Sequence, residues 1–356
     1  MRLATPRYQR SLFSCRYRAP YLPLLRFSRT YSYGTGRPLI SFSPAKSKEI
    51  SFESLVPSTR TCLPPELSRR NRMADAEYEP GSEAADAVLA SLKDKLQKDA
   101  DAKERAQELV LNLQDIQSKI GAAKTATVNH REDDEVLLIA VSKLKPAIDI
   151  LALHDNGQIH FGENYVQELW KKYPILPPTI SWHFIGSLQS SAISKLARIK
   201  NLHAVHSIDN AKKAVTLNRM RPDDFPPINV YVQVNTSGED SKSGLEPSSD
   251  ELWDTVSTIR KECSKLKFKG LMTIGAIARS QAAKEGEENE DFITLVKVAQ
   301  EIEERIERED GEKAILSLSM GMSDDFENAI SLGAGCIRVG SSIFGARPKK
   351  ADATIL

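Results

Sequence analysis

Val136-Leu-Leu-Ile-Ala-Val-Ser-Lys-Leu-Lys-Pro146 decides the fold. Its first six residues form a continuous apolar run of Val, Leu, Ile and Ala, the pattern of a parallel strand covered on both faces. The run meets Lys143, and Pro146 follows. A lysine at the end of such a strand has its amine at the mouth of a fold, partly out of water. Desolvation lowers a lysine pKa, and a neutral amine attacks an aldehyde to form a Schiff base. The plainer alternative is that Lys143 marks where the strand meets solvent, because charged residues are rarely left buried.

Working outward, the same pattern recurs. After the run at 136–141, apolar β runs stand at 159–162, 180–185, 204–208, 228–234, 268–274, 315–319 and 336–339. Helical runs follow them at 147–154, 164–172, 190–200, 211–220, 249–266, 291–307 and 324–332, with a final short helix or turn at 342–344. Eight β runs, each followed by a helical one, predict an α/β fold, a single closed parallel (β/α)8 TIM-type barrel of about 230–250 residues. A doubly wound open sheet normally carries a glycine-rich dinucleotide fingerprint, and Gly157 and Gly162 do not make one. A helical lead-in at 83–126 places Leu109, Leu111, Leu113, Ile116 and Ile120 at mixed helical spacing. The organisation expected is a leader at 1–72, a polar helical or flexible lead-in at 73–103, the barrel at 104–350 and a tail at 351–356. The charged stretch at 279–290 reads as a mobile surface loop, and 236–244 as a second loop.

Lys+Arg 49 against Asp+Glu 48 leaves no overall pull toward nucleic acid or an anionic membrane. Residues 1–48 depart from that balance, with eight arginines and no acid. Such an Arg- and Ser-rich segment reads as a mitochondrial transit peptide. It reads equally as a disordered leader or as sequence upstream of a true start at Met73, so cytoplasm and mitochondrion both stand as expected compartments. No run reaches the roughly 18 apolar residues needed to span a membrane. Four scattered cysteines form no Cys-x-x-Cys, which argues against disulfides and zinc and for a reducing compartment. The six histidines lack metal-ligand spacing. His203 and His206 have no acidic or thiolate neighbour and read as ordinary packing, so no metal is expected.

Active sites of this barrel class lie at the C-terminal strand ends. The residues expected there are Lys143, the Gly162-Glu163-Asn164-Tyr165 stretch, His183, Ser207, Asn235, Met272, Ser323 and Arg338. The loops after the seventh and eighth runs, Gly-Met-Ser323 and Val-Gly-Ser-Ser342, suit a phosphate, because glycine admits the backbone closely and free N–H groups and hydroxyls donate. The alternative for Ser323 is a plain helix N-cap. Phosphate loops, a strand-end lysine and a strand-end arginine together suggest pyridoxal 5′-phosphate (PLP).

Several motifs, in order, match one family. Ala140-Val-Ser-Lys-Leu-Lys-Pro146, Gly162-Glu-Asn-Tyr165, Trp182-His-Phe-Ile-Gly-Ser-Leu-Gln189, Val232-Gln-Val-Asn-Thr-Ser-Gly238, Gly270-Leu-Met-Thr-Ile-Gly275, Leu318-Ser-Met-Gly-Met-Ser323 and Ile337-Arg-Val-Gly340 with Phe344-Gly345 resemble the pyridoxal phosphate homeostasis proteins. The resemblance runs over about residues 104–345 and implies a barrel like the N-terminal domain of alanine racemase. It implies that Lys143 carries PLP as an internal aldimine. Ser323, Gly340 and Ser341 would hold the phosphate and Arg338 would face the pyridine nitrogen. Asn164, His183 and Met272 would line the pocket, with Asn235 and Ser207 placed only by strand position. Ser190-Ser-Ala-Ile-Ser194 departs from the family pattern before Lys195.

An arginine stays protonated and only donates, so a ring nitrogen facing Arg338 stays unprotonated and the ring is a poor electron sink. A racemase of this architecture needs a second base from an additional β domain, and the chain runs only some ten residues past the last motif. The expectation is therefore a carrier that buffers or delivers PLP, possible recipients being PLP-dependent apo-enzymes, without catalytic turnover, and a monomer or weak dimer. A PLP-dependent racemase-like enzyme is the alternative. Lys145, two residues on, competes with Lys143 for the imine by strand alternation.

Overall fold

The computed structural model describes residues 78–126, 135–284, 288–351 and 353–355. The leader at 1–72 and the start at Met73 lie outside the described residues. Eight strands close into one parallel barrel in sequence order. They are β1 (Leu137–Val141), β2 (His160–Glu163), β3 (Ser181–Phe184), β4 (Leu202–Ile208), β5 (Ile228–Gln233), β6 (Leu266–Met272), β7 (Ser317–Ser319) and β8 (Cys336–Val339). Closure is made by β1 against β8, in register from Leu137↔Cys336 to Ala140↔Val339.

The helices are α1 (Glu83–Lys98), α2 (Ala100–Ala126), α3 (Ala147–His154), α4 (Val166–Lys172), α5 (Ile193–Leu196), α6 (Ala211–Met220), α7 (Asp250–Glu262), α8 (Ile277–Lys284), α9 (Glu290–Asp310), α10 (Phe326–Ser331) and α11 (Ser341–Phe344). The lead-in expected as one helical stretch is two helices. Asp99 separates them, its backbone closing α1 and its carboxylate accepting from Asp101 N and Ala102 N at the start of α2. On α2, Leu109, Leu113, Ile116 and Ile120 are buried at 4-3-4 spacing, whereas Leu111 is 65% exposed and takes no part in the core. The stretch expected as a mobile loop at 279–290 begins inside a helix, α8. Arg279 pairs with the buried Asp291 at 2.6 Å, and the same carboxylate accepts from Ala276 N at 2.7 Å. One buried acid thus organises a segment whose composition reads as solvated.

Strand alternation splits the barrel into two environments. Outward residues such as Leu138, Phe161, Trp182, Val230, Leu271 and Ile337 pack into the main core beneath the helices. The inward layers hold two small apolar clusters, Ile139 with Val141 and Cys336, and Ala204 with Tyr231 and Met272. Most of the remaining interior is polar.

Candidate functional site at the strand ends

Lys143 lies just past β1, half-buried, and both of its neighbours are clamped by one buried cluster. Ser142 Oγ donates to Glu163 Oε1 at 2.7 Å, and Ser142 O accepts from Lys172 Nζ at 3.0 Å. Leu144 N donates to Glu168 Oε1 at 2.7 Å. Lys172 Nζ bridges Glu163 at 2.8 Å and Glu168 at 2.5 Å, all three side chains being out of solvent. Leu144 holds φ 60°, a left-handed conformation that an L residue keeps only when its surroundings enforce it. The cluster therefore fixes the backbone on either side of Lys143. Burial lowers the Lys143 pKa, Arg347 and Arg338 push it down further, and Glu163 and Glu168 hold it up. Burial raises the Glu163 carboxyl, against the pull of Lys172.

Lys145 does not share the mouth. Its Nζ donates to Phe344 O at 2.8 Å and Ala346 O at 2.7 Å, so it ties the chain after β8 to the turn after β1. Strand alternation fails as a guide here because the chain has left β1 and turned through Leu144.

The two serine-glycine loops meet. Gly340 N donates to Ser323 Oγ at 3.2 Å. A Cβ on Gly340 would lie 3.4 Å from Val141 and 3.8 Å from Arg347 Nη2, so the glycine leaves a narrow gap beside β1. Ser341 is the exposed first residue of α11. Arg347, unassigned by the sequence, brings a second guanidinium to this corner. Its signal was only an arginine two residues after Gly345. Gly186 is tighter still, because its Cβ would sit 2.0 Å from Asn164 O. Asn164 is half-buried, and its Oδ1 is buried with no hydrogen-bond partner.

Arg338 is 5% exposed and rigidly held. Its Nη1 donates to Ser319 Oγ and its Nη2 to Thr273 O, both at 2.7 Å. Met272 packs at 1% exposure against Ala204 and Tyr231. Ser207 Oγ donates to Gly186 O at 2.5 Å, a bracing contact. Asn235 Nδ2 donates to Glu239 O, and the residue lines a cavity of about 210 Å³ with Ile185, Gln233 and Thr273.

His183 is not at the mouth. It is buried inside the barrel in a hydrogen-bonded column: His160 Nδ1 to His183 Nε2, His183 Nδ1 to His206 Nε2, and His206 Nδ1 to Ser319 Oγ, each 2.9 Å. His206 also stacks on Tyr231, centroids 4.3 Å apart. The column ends at Arg338 through their shared Ser319. Burial lowers the pKa of these three rings and of the neighbouring His203, that of His160 to about 4, which keeps them neutral near pH 7. His206 is packed inside the barrel, as the sequence expected, and is also a link in this column; His203 lies beside it, its ring centroid 5.0 Å from that of His183. The signal was histidine recurring on three consecutive strand runs.

Comparison with known proteins agrees with this geometry. Residues 111–348 match the family model "Alanine racemase, N-terminal domain". A Schizosaccharomyces pombe protein named "Pyridoxal phosphate homeostasis protein" is 47% identical over 214 residues, covering 60% of this chain and 85% of that one. Its Escherichia coli K12 namesake is 39% identical over 249 residues, covering 67% and 97%. Among solved structures, PipY of Synechococcus elongatus with PLP bound is 26% identical, TM-score 0.51, covering 67% of this chain and all (100%) of that one. A Bifidobacterium adolescentis crystal structure of an unknown protein is 28% identical, TM-score 0.55, covering 68% and 96%. With the barrel, the motifs and these relatives in agreement, the chain belongs to the pyridoxal phosphate homeostasis protein family, built on the alanine racemase N-terminal-domain barrel.

Proposed function

We propose that this protein binds PLP at the strand ends, linked as an imine through Lys143 Nζ, and serves intracellular vitamin B6 homeostasis by holding the cofactor and releasing it to users. The observation that carries this reading is the half-buried Lys143, its pKa lowered, beside the Ser323–Gly340 corner. The residues fit the cofactor. Gly340 lets backbone N–H groups approach a phosphate, Ser323 and Ser341 supply hydroxyls, and Arg347 supplies charge. Asn164 Oδ1 is a buried acceptor awaiting a donor. PipY, of the same fold, has PLP bound.

Bound PLP supplies an aldehyde for the imine and a ring whose electron demand depends on protonation of its nitrogen. The protein acts on both. Burial and two arginines keep Lys143 Nζ ready to lose its proton, against the opposing charge of Glu163 and Glu168. Arg338, pinned by Ser319 and Thr273, offers only donors to the ring nitrogen. That arrangement supports a carrier over a racemase.

The experiment is borohydride reduction of PLP-loaded protein followed by peptide mapping. The label is expected on Lys143, with no trapped PLP in Lys143→Ala. A label on Lys145, or none, overturns the reading. Sustained D/L exchange of free amino acids by the purified protein would restore the racemase alternative. Transfer of PLP to a PLP-dependent apo-enzyme tests delivery, and sedimentation tests the monomer or weak dimer. Sequencing the mature N-terminus separates mitochondrial import from a cytosolic start at Met73.

A further inference from the structure

The interior of a (β/α)8 barrel is ordinarily filled by layers of branched apolar side chains. Here the end away from Lys143 is filled by imidazoles. His160 opens β2, His203 stands second in β4, and His183 lies between them in β3. The three ring centroids are 5.0–5.2 Å apart. One nitrogen from each ring falls within 4.8 Å of the other two. We propose that His160, His183 and His203 form a binding site for a divalent cation of the zinc class, joining β2, β3 and β4 at the barrel floor.

The donor chemistry suits that ion. Three neutral imidazoles with a fourth position open to water are a recurrent zinc arrangement, and imidazole equally takes copper and nickel. The gap between His160 Nδ1 and His183 Nε2 is 2.9 Å. Nitrogen ligands of one tetrahedral ion at about 2.0–2.1 Å stand roughly 3.3 Å apart, so this pair opens slightly and His203 swings inward. The ion takes the place of the proton now between His160 Nδ1 and His183 Nε2, and that proton moves to the outer nitrogen of the ring that carries it. Each ring keeps its remaining proton on its other nitrogen, and none is released.

The outer partners are already in place. His183 Nδ1 faces His206 Nε2 at 2.9 Å, and His203 Nε2 faces the Asn229 side-chain amide at 3.1 Å. A metal-bound imidazole needs such an acceptor for its second N–H; Asn229, whose Nδ2 now faces His203 Nε2, supplies one when its amide turns over to present Oδ1. His160 and His203 are half-buried, so an ion enters from the floor without disturbing the mouth. Lys269 carries a like charge toward His203, but it is exposed, where solvent screens it.

The test uses the full chain, free of any affinity tag, titrated with Zn2+ by calorimetry and with substoichiometric Cu2+ by electron paramagnetic resonance. One Zn2+ per chain at micromolar or tighter Kd is expected, with copper hyperfine structure from three imidazole nitrogens. His160→Asn and His203→Gln are each expected to weaken Zn2+ at least 30-fold while PLP trapping at Lys143 is kept. No Zn2+ uptake by the wild type, fewer than three coupled nitrogens, or undiminished binding in both variants would overturn the site. Because copper spectra are read on the wild type, the result stands even where a variant folds poorly.

Discussion

At the scale of single residues, the environment of Lys143 sets when its amine loses a proton. Its amine loses a proton more readily than a free lysine because it is buried and because Arg347 and Arg338 repel its charge. The sign follows: the neutral fraction rises with pH, and the rise is centred below the ordinary lysine value of about 10.4. PLP capture by the wild type is therefore expected to level off at lower pH than in Arg347→Gln, where one repelling charge is gone. Stopped-flow capture rates across pH 7–10 measure the displacement, and superimposable profiles would refute it. Gly186 makes a second case. Its missing Cβ leaves room for the Asn164 carbonyl, 2.0 Å from where that carbon would stand. Gly186→Ala is expected to push Asn164 away and weaken PLP retention at least tenfold in equilibrium dialysis. The sequence made Lys143, Ser323 and Arg338 legible because each stands in or just past the C-terminal end of an apolar β run. It could not show Arg347, which acts from an irregular tail by folding back on the mouth.

At the scale of elements, the turn from β1 into α3 stands on the Glu163–Lys172–Glu168 cluster. Removing one partner of a buried ion pair leaves an uncompensated charge, at roughly 3–5 kcal/mol. Lys172→Met is expected to cost at least that, since two carboxylates then face each other unpaired; urea unfolding at pH 7.5 reads it. A loss below 1 kcal/mol would mean that the cluster takes up protons instead. The strands and most helices could be read from their apolar periodicity. The α8 segment could not, because its order comes from Asp291, an acid just past the charged stretch whose burial the composition does not reveal. Nor could the histidine column, for residue spacing along one strand says nothing of which rings face each other across three.

For the whole molecule, α2 is the lead-in element that the barrel cannot lose. Its Leu109, Leu113, Ile116 and Ile120 complete the core, and its Arg105 and Asn112 hold the backbone of α11, through Phe344 O at 2.8 Å and Ile343 O at 3.0 Å. A chain beginning at Asp99 is expected to keep PLP binding with a modest fall in Tm, whereas one beginning after 126 is expected to fail to fold; thermal melts with PLP titration distinguish them. Leu113→Ala should cost about 2–5 kcal/mol, the range for deleting a buried leucine side chain. Barrel closure was readable from eight repeated runs, but the seam itself was not. It is fastened by Lys145 on Phe344 O and Ala346 O, and by Ala147 N donating to Ile355 O at 2.9 Å. Ile355 lies against the first turn beyond Lys143. For anyone purifying the protein, a handle joined next to Ile355 is therefore badly placed: a fusion or a stray exopeptidase there would pull on the turn that holds Lys143.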